Sequence, residues 1–452
     1  MNGRYDAIVI GASTGGLAAA ALLSRAGAKV LLLERETAPP QWHGALYALD
    51  PVLVDALGLT RHGLGFCARD LPLVGFAQGA EPLTLMRSVH AAGRALAPVS
   101  EADARAWPRF RRDLFALSRR LRRWWWHANE SGRPEDTLED RKARDSFLRL
   151  AHTGADAFLA ACFESETLRG SLLFDAIGGG FAPSEPGSAL ALVWRAAQEM
   201  AGLQGASALP ACGSLVAALT RAARSADLRM AAPVEAIRVR DGRAIGVALK
   251  DGTEIDAQVL LSAVSVSAME RLLGGAAHDT AKTGEAQLLF TLSELPSLPM
   301  PFNLGRVVIA DSAGGYADAY EEARAGLLPG DLPLECIVAG NRMIVTARPV
   351  PIVPLGGWAA LKSLLAARII RRLNCVVPGF AGAVTGIEFR LPKNGPRPGL
   401  ARLLAPPAAR LKNHLPNLWR CGSDAEPLPC VSGRAGRMAA ALAARTLAGR
   451  VR

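Results

Sequence analysis

The chain has 452 residues, more than a single hydrophobic core usually supports, so two domains are expected. Half of its residues are hydrophobic and 21% are charged, which excludes a disordered chain and a polytopic membrane protein. The net charge of +11 favours an anionic surface or ligand, although a GC-rich genome produces the same Arg-rich and Ala-rich composition.

The seven cysteines are odd in number and widely scattered, with no pair at metal-ligand spacing. This distribution predicts a reducing compartment and no structural metal. The first apolar stretch, residues 7–33, is interrupted by glycines and polar side chains, so it predicts neither a signal peptide nor a membrane span. We therefore expect a cytoplasmic protein.

The N-terminal residues predict a strand, a helix and a second strand. An apolar run from Tyr5 to Ile10 is followed by an Ala/Leu-rich segment, residues 15–26, and by a second apolar run over residues 29–33. Gly27 lies where a left-handed residue without Cβ commonly ends a helix. The unit is therefore predicted to be βαβ, with Glu34 at the end of its second strand.

The rest of the chain changes character several times. Residues 51–200 show mainly helical patterns, and residues 229–264 predict a β-meander with tight turns at Asp241-Gly242 and Asp251-Gly252. Residues 286–350 contain further strand candidates, and residues 392–407 form a Pro/Gly-rich connection. The last part, residues 418–450, predicts a short strand, a loop and an Ala-rich helix.

A glycine-rich turn joins the first strand to the first helix and has the sequence Gly11-Ala12-Ser13-Thr14-Gly15-Gly16. In a Rossmann unit the first glycine makes the turn, the second admits the pyrophosphate and the third lets helix and strand pack. Here Ser13 replaces the second glycine and offers a hydroxyl to a phosphate, while the helix N-terminus suits an anion. Glu34 is placed to accept hydrogen bonds from a ribose. The alternative is a Rossmann-like unit that packs without a ligand.

Four blocks of the sequence resemble the carotenoid desaturase (phytoene dehydrogenase-related) branch of the FAD-dependent oxidoreductases. They are residues 5–35, residues 48–66, residues 174–264 and residues 418–444. The resemblance implies an α/β fold in which a Rossmann-like FAD-binding domain, with a parallel sheet and a β-meander, is interleaved with an α+β substrate domain. The FAD-binding domain would comprise 1–60, 201–270 and 411–452, the mainly helical substrate lobe 61–200, and the substrate-domain sheet 271–410.

The resemblance also implies a bound FAD, extended between the two ends of the chain. Its ADP end would lie on Gly11 to Gly16, Glu34, Arg35 and the backbone of Val234. Its flavin end would lie on Gly422, Ser423, Val431 and Ser432, with the helix after Gly433 directed at the pyrimidine edge. The implied reaction is dehydrogenation or desaturation of a small apolar substrate by hydride transfer to flavin, with no catalytic side chain assigned.

The sequence departs from this family at the flavin end. Pro40 and Gln41 stand where the family has a glycine pair, and residues 426–430 replace a His-Pro and glycine run with bulkier side chains. Residues 262–266 lack the family's Asn, Asp and Pro. The alternative function is therefore a degenerate member that serves as a binding or scaffold protein. A nicotinamide-only dehydrogenase is a further alternative, since Glu34 also suits NAD.

Three other features of the sequence each allow two interpretations. Cys430 is either a redox-active thiol near the flavin or a small packed side chain, and His43 and Glu426 are either proton-exchanging groups or solvated loop residues. Residues 119–127 combine Arg119, Arg120, Arg122 and Arg123 with Trp124, Trp125, Trp126 and His127. This run fits peripheral contact with a membrane or another anionic partner, or equally a helix with some tryptophans in the core. No nucleic-acid-binding motif accompanies it.

Overall fold

A computed structural model describes residues 4–39, 44–126, 132–201, 208–211, 214–276, 281–294, 305–392, 395, 397 and 399–449. Pro40, Gln41, His43 and His127 lie outside the described residues. The described strands are β1 (Tyr5–Ile10), β2 (Val30–Leu33), β3 (Phe66–Arg69), β4 (Leu73–Phe76), β5 (Leu83–Leu85), β6 (Ala208–Pro210), β7 (Asp227–Arg229), β8 (Val234–Arg240), β9 (Arg243–Leu249), β10 (Glu254–Ser262), β11 (Thr283–Leu292), β12 (Arg306–Ile309), β13 (Leu334–Ala339), β14 (Arg342–Pro351), β15 (Val384–Arg390) and β16 (Leu418–Arg420).

The α-helices surround the sheets and form a separate lobe. They are α1 (Thr14–Arg25), α2 (Pro51–Leu57), α3 (Val89–Leu96), α4 (Glu101–Trp126), α5 (Arg141–Ala151), α6 (Ala155–Cys162), α7 (Glu166–Ala176), α8 (Ser188–Ala201), α9 (Ser214–Ala222), α10 (Val266–Leu272), α11 (Ala313–Arg324), α12 (Gly357–Val376), α13 (Phe380–Ala383), α14 (Leu400–Leu403), α15 (Pro407–Leu411) and α16 (Arg434–Ala448). Among these helices, none combines the length and the apolar character needed to cross a membrane.

The first sheet has seven strands in the order β7-β2-β1-β10-β9-β8, with β16 beside β10. Strands β7, β2, β1, β10 and β16 are parallel, whereas β8, β9 and β10 form an antiparallel meander. The turn at Asp241 and Gly242 has φ of 51° and 68°, as a tight hairpin requires. The third strand of the meander thus enters the parallel sheet, and the predicted α/β fold class is confirmed.

Helix α1 (Thr14–Arg25) begins and ends one residue before the predicted bounds, residues 15–26. The Ser13 hydroxyl accepts a hydrogen bond from the Gly16 N–H at 3.4 Å and caps the first turn. Gly27, with φ of 89°, follows the last turn. The helix buries Leu17 and Leu23 against the first sheet and α16, and a fully buried leucine of this kind stabilises the fold by about 1.5–3 kcal/mol.

The second sheet contains a feature that the sequence did not predict. Its seven strands run β15-β11-β14-β13-β12-β4-β5, so β4 and β5 come from the segment read as mainly helical. Strand β4 is parallel to β12, with Val74 opposite Val307. Both valines are buried in one core with α12. Strand β4 also pairs with the nearby β5, but such short strands join this sheet only through β12, far along the chain, and no local pattern indicates that pairing.

The tryptophan run of α4 lies largely in the core of the helical lobe. Trp124 and Trp125 are each 1% exposed, and their indole N–H groups donate to the carbonyl oxygens of Leu404 and Leu403 at 3.1 and 2.9 Å. The arginines of the run are exposed on the other side of the helix. The core alternative therefore describes Trp124 and Trp125, whose buried indole N–H groups both have acceptors.

Candidate functional site

The glycine-rich turn brings three backbone segments into close contact. Gly11 has φ of 99°, and its N–H donates to Leu33 O at 2.8 Å. A Cβ on Gly16 would collide with the carbonyl oxygen of Gly11, and one on Gly15 would collide with the carbonyl oxygen of Cys421. These glycines are therefore required by the close approach of β1, α1 and the segment after β16.

The first turn of α1 offers donors that fit a pyrophosphate. Within the described residues, the N–H groups of Ser13, Thr14 and Gly15 have no hydrogen-bond acceptor, and the first two of these residues are partly exposed. Free N–H groups at the positive end of a helix dipole bind anions. The donor set at this turn therefore fits the phosphates of a dinucleotide.

Glu34 lies beside this turn. Its Oε2 accepts a hydrogen bond from the Ala12 N–H at 2.6 Å and its Oε1 accepts one from the Glu36 N–H at 3.1 Å. Each oxygen keeps a second lone pair for a ribose hydroxyl. Arg35 is exposed and pairs with Glu36 at 2.9 Å.

Val234, the other residue assigned to the adenine end, is the first residue of β8. The backbone just before it is hydrogen-bonded to Glu34, whose N–H donates to Arg229 O at 2.9 Å and whose carbonyl accepts the Ala232 N–H at 2.8 Å. Val234 therefore follows a segment that is fixed directly against the glutamate. The structure thus brings the residues predicted for the ADP end to one edge of the first sheet.

The C-terminal motif meets the same turn, although it lies some four hundred residues later. A Cβ on Gly433 would lie 3.8 Å from the Thr14 methyl group, and one on Gly436 would collide with the Gly15 carbonyl. Gly422 packs on the backbone of Ala263, and the next residue, Ser423, is exposed. The N-termini of α1 and α16 therefore lie side by side.

The N-terminus of α16 is capped by the chain itself. The Glu426 carboxylate is 3% exposed and accepts hydrogen bonds from the Ser432 hydroxyl at 2.6 Å and the Ala435 N–H at 3.2 Å. The Ser432 hydroxyl oxygen also accepts the Arg434 N–H at 2.9 Å. These donors, which the family resemblance directs at a flavin, already have acceptors. Glu426, weighed as a proton-exchanging loop residue, is thus a buried helix cap.

Residues 424–426 are hydrogen-bonded to the helical lobe through two arginines, the partly exposed Arg402 and the buried Arg410. Arg402 donates to Asp424 O and Glu426 O, at 2.8 and 3.1 Å. Arg410 donates to Ala425 O at 2.7 Å and to Trp125 O at 2.6 Å. Burial lowers the pKa of Arg410 to about 10, and the Glu426 carboxylate partly opposes this effect. The loop that replaces the family's glycine run is therefore rigidly held.

Two other members of the C-terminal motif complete this region. Val431 is partly buried and packs on the core around α1 and α16. Cys430 lies beside Gln198 and Ser432, and burial raises the pKa of its thiol. A raised pKa keeps the thiol protonated and unreactive, which favours the packed side chain over the redox-active thiol.

A cavity of about 420 Å³ lies in the helical lobe, between β4, β5, α4, α7, α8 and β12. Its walls are mainly apolar and include Leu85, Trp107, Phe110, Leu114, Phe115, Leu172 and Leu192. Asp70 and Arg87, both more than half exposed, form an ion pair at its outer end. A cavity of this size and composition is typical of a small-molecule site.

The inner end of this cavity contains a network of buried charges. Arg306 is 3% exposed and pairs with both Asp175 and Glu335. Burial alone would raise the pKa of Asp175, but the positive charges of Arg306 and Arg195 outweigh it and hold this pKa below its usual value. Asp175 and Arg306 are 131 residues apart, and no sequence pattern links them.

Tyr47 connects the cavity to the dinucleotide half of the protein. It belongs to the segment between β2 and α2. The Arg195 guanidinium stacks on its ring, 3.1 Å from the ring centre. Its hydroxyl donates to Glu335 at 3.1 Å, and burial raises the pKa of this phenol. The charged end of the cavity therefore contacts the segment between β2 and α2, which follows Glu34 in the chain.

Comparison with known proteins agrees with these features. Residues 76–289 match the family model for flavin containing amine oxidoreductase, and residues 9–39 match that for an NAD(P)-binding Rossmann-like domain. A relative from Mus musculus, pyridine nucleotide-disulfide oxidoreductase domain-containing protein 2, is 26% identical over 99% of this chain and 95% of its own length. These matches confirm the prediction of a flavin cofactor, FAD, and of an oxidoreductase.

Two solved structures share the fold across the chain. Putrescine oxidase, in a structure with bound putrescine, superposes with a TM-score of 0.61 at 15% identity and covers 99% of both chains. A Rab GDI from Plasmodium falciparum superposes with a TM-score of 0.54 at 11% identity, again over 99% of both chains. These likenesses establish the fold, while the phytoene dehydrogenase-like subtype is finer than either comparison resolves.

Proposed function

We propose that this chain, whose residues 76–289 match the family model for flavin containing amine oxidoreductase, dehydrogenates a small, largely apolar organic substrate held in the cavity of the helical lobe. The observation that carries this proposal is the contact of Tyr47 with Arg195, because it joins the cavity to the segment that leaves the dinucleotide turn. Dehydrogenation or desaturation, as in the phytoene dehydrogenase branch, is the reaction class that the family resemblance favours.

The chain's own residues would bind and orient the reactants. The N–H groups of Ser13, Thr14 and Gly15 would hold the pyrophosphate, and Glu34 would hold the ribose. The aromatic wall of Trp107 and Phe110 would exclude water from the substrate. When bound, FAD supplies the acceptor for the hydride, so the protein needs no acid–base pair of its own for electron transfer.

The test is FAD binding by a pair of variants at the helix cap. Purified protein should absorb near roughly 450 nm, where oxidised flavin absorbs, or take up FAD on reconstitution. Ser13→Asp keeps a good N-cap but adds a negative charge beside the pyrophosphate, so FAD affinity should fall about tenfold or more. Ser13→Asn keeps the cap without charge and should bind FAD as the parent does. Absence of FAD uptake by the parent protein would overturn the proposal.

The Glu426 cap favours a second candidate, a family member that binds ligands without redox turnover. A carboxylate placed where the resemblance directs a flavin would repel the negative charge that reduction creates. The Rab GDI that shares the fold does not have an oxidoreductase name, so this fold is not restricted to proteins named as oxidases. Bound FAD that stays oxidised with every substrate tested under anaerobic conditions, in a protein that still binds ligands, would support this candidate.

A further inference from the structure

Every charged side chain that lines the cavity, within the described part of the chain, has a partner of opposite charge. At the outer end, Asp70 and Arg87 pair at 3.0 Å. At the inner end, Arg306 pairs with Asp175 and with Glu335. A charged head group bound at either end would therefore have no free counter-ion, and a buried charge without one is costly.

Arg111 is mostly buried and contacts a carboxylate and two aromatic rings of the cavity wall. It donates to Glu199 at 3.0 Å. Its guanidinium lies 4.4 Å from the centre of the Phe115 ring and 5.7 Å from that of the Trp107 ring, within the range of a cation–π attraction. Trp107, Arg111 and Phe115 follow one another at intervals of four residues on α4, so they share one face of the helix. One cation of the chain thus occupies all three groups.

The three groups around Arg111 are of the kind that recognises an ammonium ion. A carboxylate forms strong hydrogen bonds with an ammonium group, and aromatic faces attract it. Glu199, Phe115 and Trp107 all line the cavity, but they already contact the Arg111 guanidinium. An amine at this place would therefore lack these contacts and would also be repelled by the guanidinium.

The charges at the inner end balance only when Arg111 is present. Three arginines and three carboxylates take part in the ion pairs there: Arg111, Arg195, Arg306, Asp175, Glu199 and Glu335. Without Arg111, one negative charge would be in excess, and Glu199 would keep only its contact with Arg195 at 3.7 Å. Arg195 is stacked on the Tyr47 ring at 3.1 Å from its centre, which restrains it from moving closer to Glu199.

We propose that the cavity selects uncharged substrates and that Arg111 is the residue that excludes amines from it. This inference names the substrate class for the proposed function and rests on that function only for the reaction. Octanol, octylamine and octanoate share one apolar tail and differ in the charge of the head group at neutral pH. Calorimetry with the full chain measures the affinity of each.

Octanol should bind the parent protein about tenfold or more tightly than octylamine or octanoate, because neither charged head group gains a free partner. Arg111→Ala should tighten octylamine binding about tenfold or more, since it frees Glu199 and the two aromatic rings. The same variant should weaken octanoate binding further, because it leaves a net negative charge at the inner end.

Two further variants control for the loss of the arginine side chain. Arg111→Ala combined with Glu199→Gln removes both charges of the pair, so most of the gain in octylamine affinity should disappear. The exposed Arg112→Ala, at the next residue of α4, should leave all three affinities unchanged. Thermal unfolding reports whether each variant is folded, and the parent's order of affinities tests the inference without any variant.

Octylamine binding to the parent as tightly as octanol, or a folded Arg111→Ala variant without any gain in octylamine affinity, would overturn the inference. FAD uptake by the same preparation separates the two proposals. A preference for octanol that Arg111→Ala shifts towards octylamine, without FAD uptake, supports the inference and rejects the redox function. FAD uptake by a parent protein that binds octylamine as tightly as octanol does the opposite.

Discussion

The buried Glu426 carboxylate accepts a hydrogen bond from the Ser432 hydroxyl at 2.6 Å, six residues further along the chain. The same oxygen accepts a hydrogen bond from the Ala435 N–H. One side chain therefore links the loop after β16 to the first turn of α16. A negative charge at this position is stabilised by the helix dipole. The C-terminal motif is therefore self-contained, whatever ligand lies beside it.

Glu426→Ala should destabilise the protein. The substitution leaves the Ser432 hydroxyl and the Ala435 N–H buried without their acceptor, which costs about 1–3 kcal/mol. Glu426→Gln retains the acceptor oxygen and should cost less. The measurement is the urea midpoint, with the exposed Glu139→Ala as control. Equal midpoints for Glu426→Ala and Glu139→Ala would contradict the capping role.

Gly436→Ala should also destabilise the protein, through the contact of α16 with α1. Its Cβ would overlap the Gly15 carbonyl oxygen, which is backbone and cannot rotate away. Overpacking of this kind costs about 1–3 kcal/mol. Gly382→Ala is a suitable control, because this glycine lies on a helix with open space around it, and its urea midpoint should stay the same or rise. If the two variants unfold at equal urea concentrations, the helices have more freedom than the structure shows.

Local patterns predicted the parts of the fold that depend on near neighbours. Helix α1 and its flanking strands lie within a residue of the expected bounds because Ser13 and Gly27 mark the ends of the helix. The place of β4 in the second sheet was missed because its partner β12 lies more than two hundred residues away, and its other partner β5 is only three residues long. For the same reason, the pairing of Asp175 with Arg306 could not be predicted.

In the candidate site, too, residues fixed by local sequence were predictable and residues fixed by distant contacts were not. The Gly11–Gly16 turn and Glu34 come together as the motif predicts, since a βαβ unit fixes them over a short stretch of chain. The role of Glu426 was not predictable from its position, because the side chain returns to its own helix instead of facing a ligand. Tyr47 was also missed, since its partners come from three other segments.

Asp175 should make stability depend on pH in the acid range. Its pKa in the folded protein is held below the usual value of about 3.9 that it regains on unfolding. The ionised carboxylate therefore stabilises the fold above about pH 4, and this stabilisation is lost as the pH falls through the folded pKa. At pH 7, Asp175→Asn should cost about 3–5 kcal/mol, since it leaves Arg306 and Arg195 short of a buried anion.

The difference in unfolding free energy between the parent and Asp175→Asn should then decrease as the pH is lowered from 5 to the lowest pH at which the protein is still folded. Urea titrations at a series of pH values measure this difference. The exposed Asp318→Asn should give no comparable trend. A difference that is constant with pH would mean that the carboxylate is not preferentially ionised in the fold.

The arginines of α4 allow a final prediction about anionic surfaces. Because Trp124 and Trp125 are buried, we propose that any contact of this helix with a membrane is electrostatic and uses the exposed arginines 119, 120, 122 and 123. Binding to phosphatidylserine vesicles should therefore occur at low salt and weaken as ionic strength rises. Arg119→Glu with Arg122→Glu should reduce cosedimentation severalfold, whereas the same reversal at Arg240 and Arg243, on the β-meander, should have little effect. Binding that is insensitive to salt, or a shift in tryptophan fluorescence on vesicle addition, would instead indicate insertion of the tryptophans.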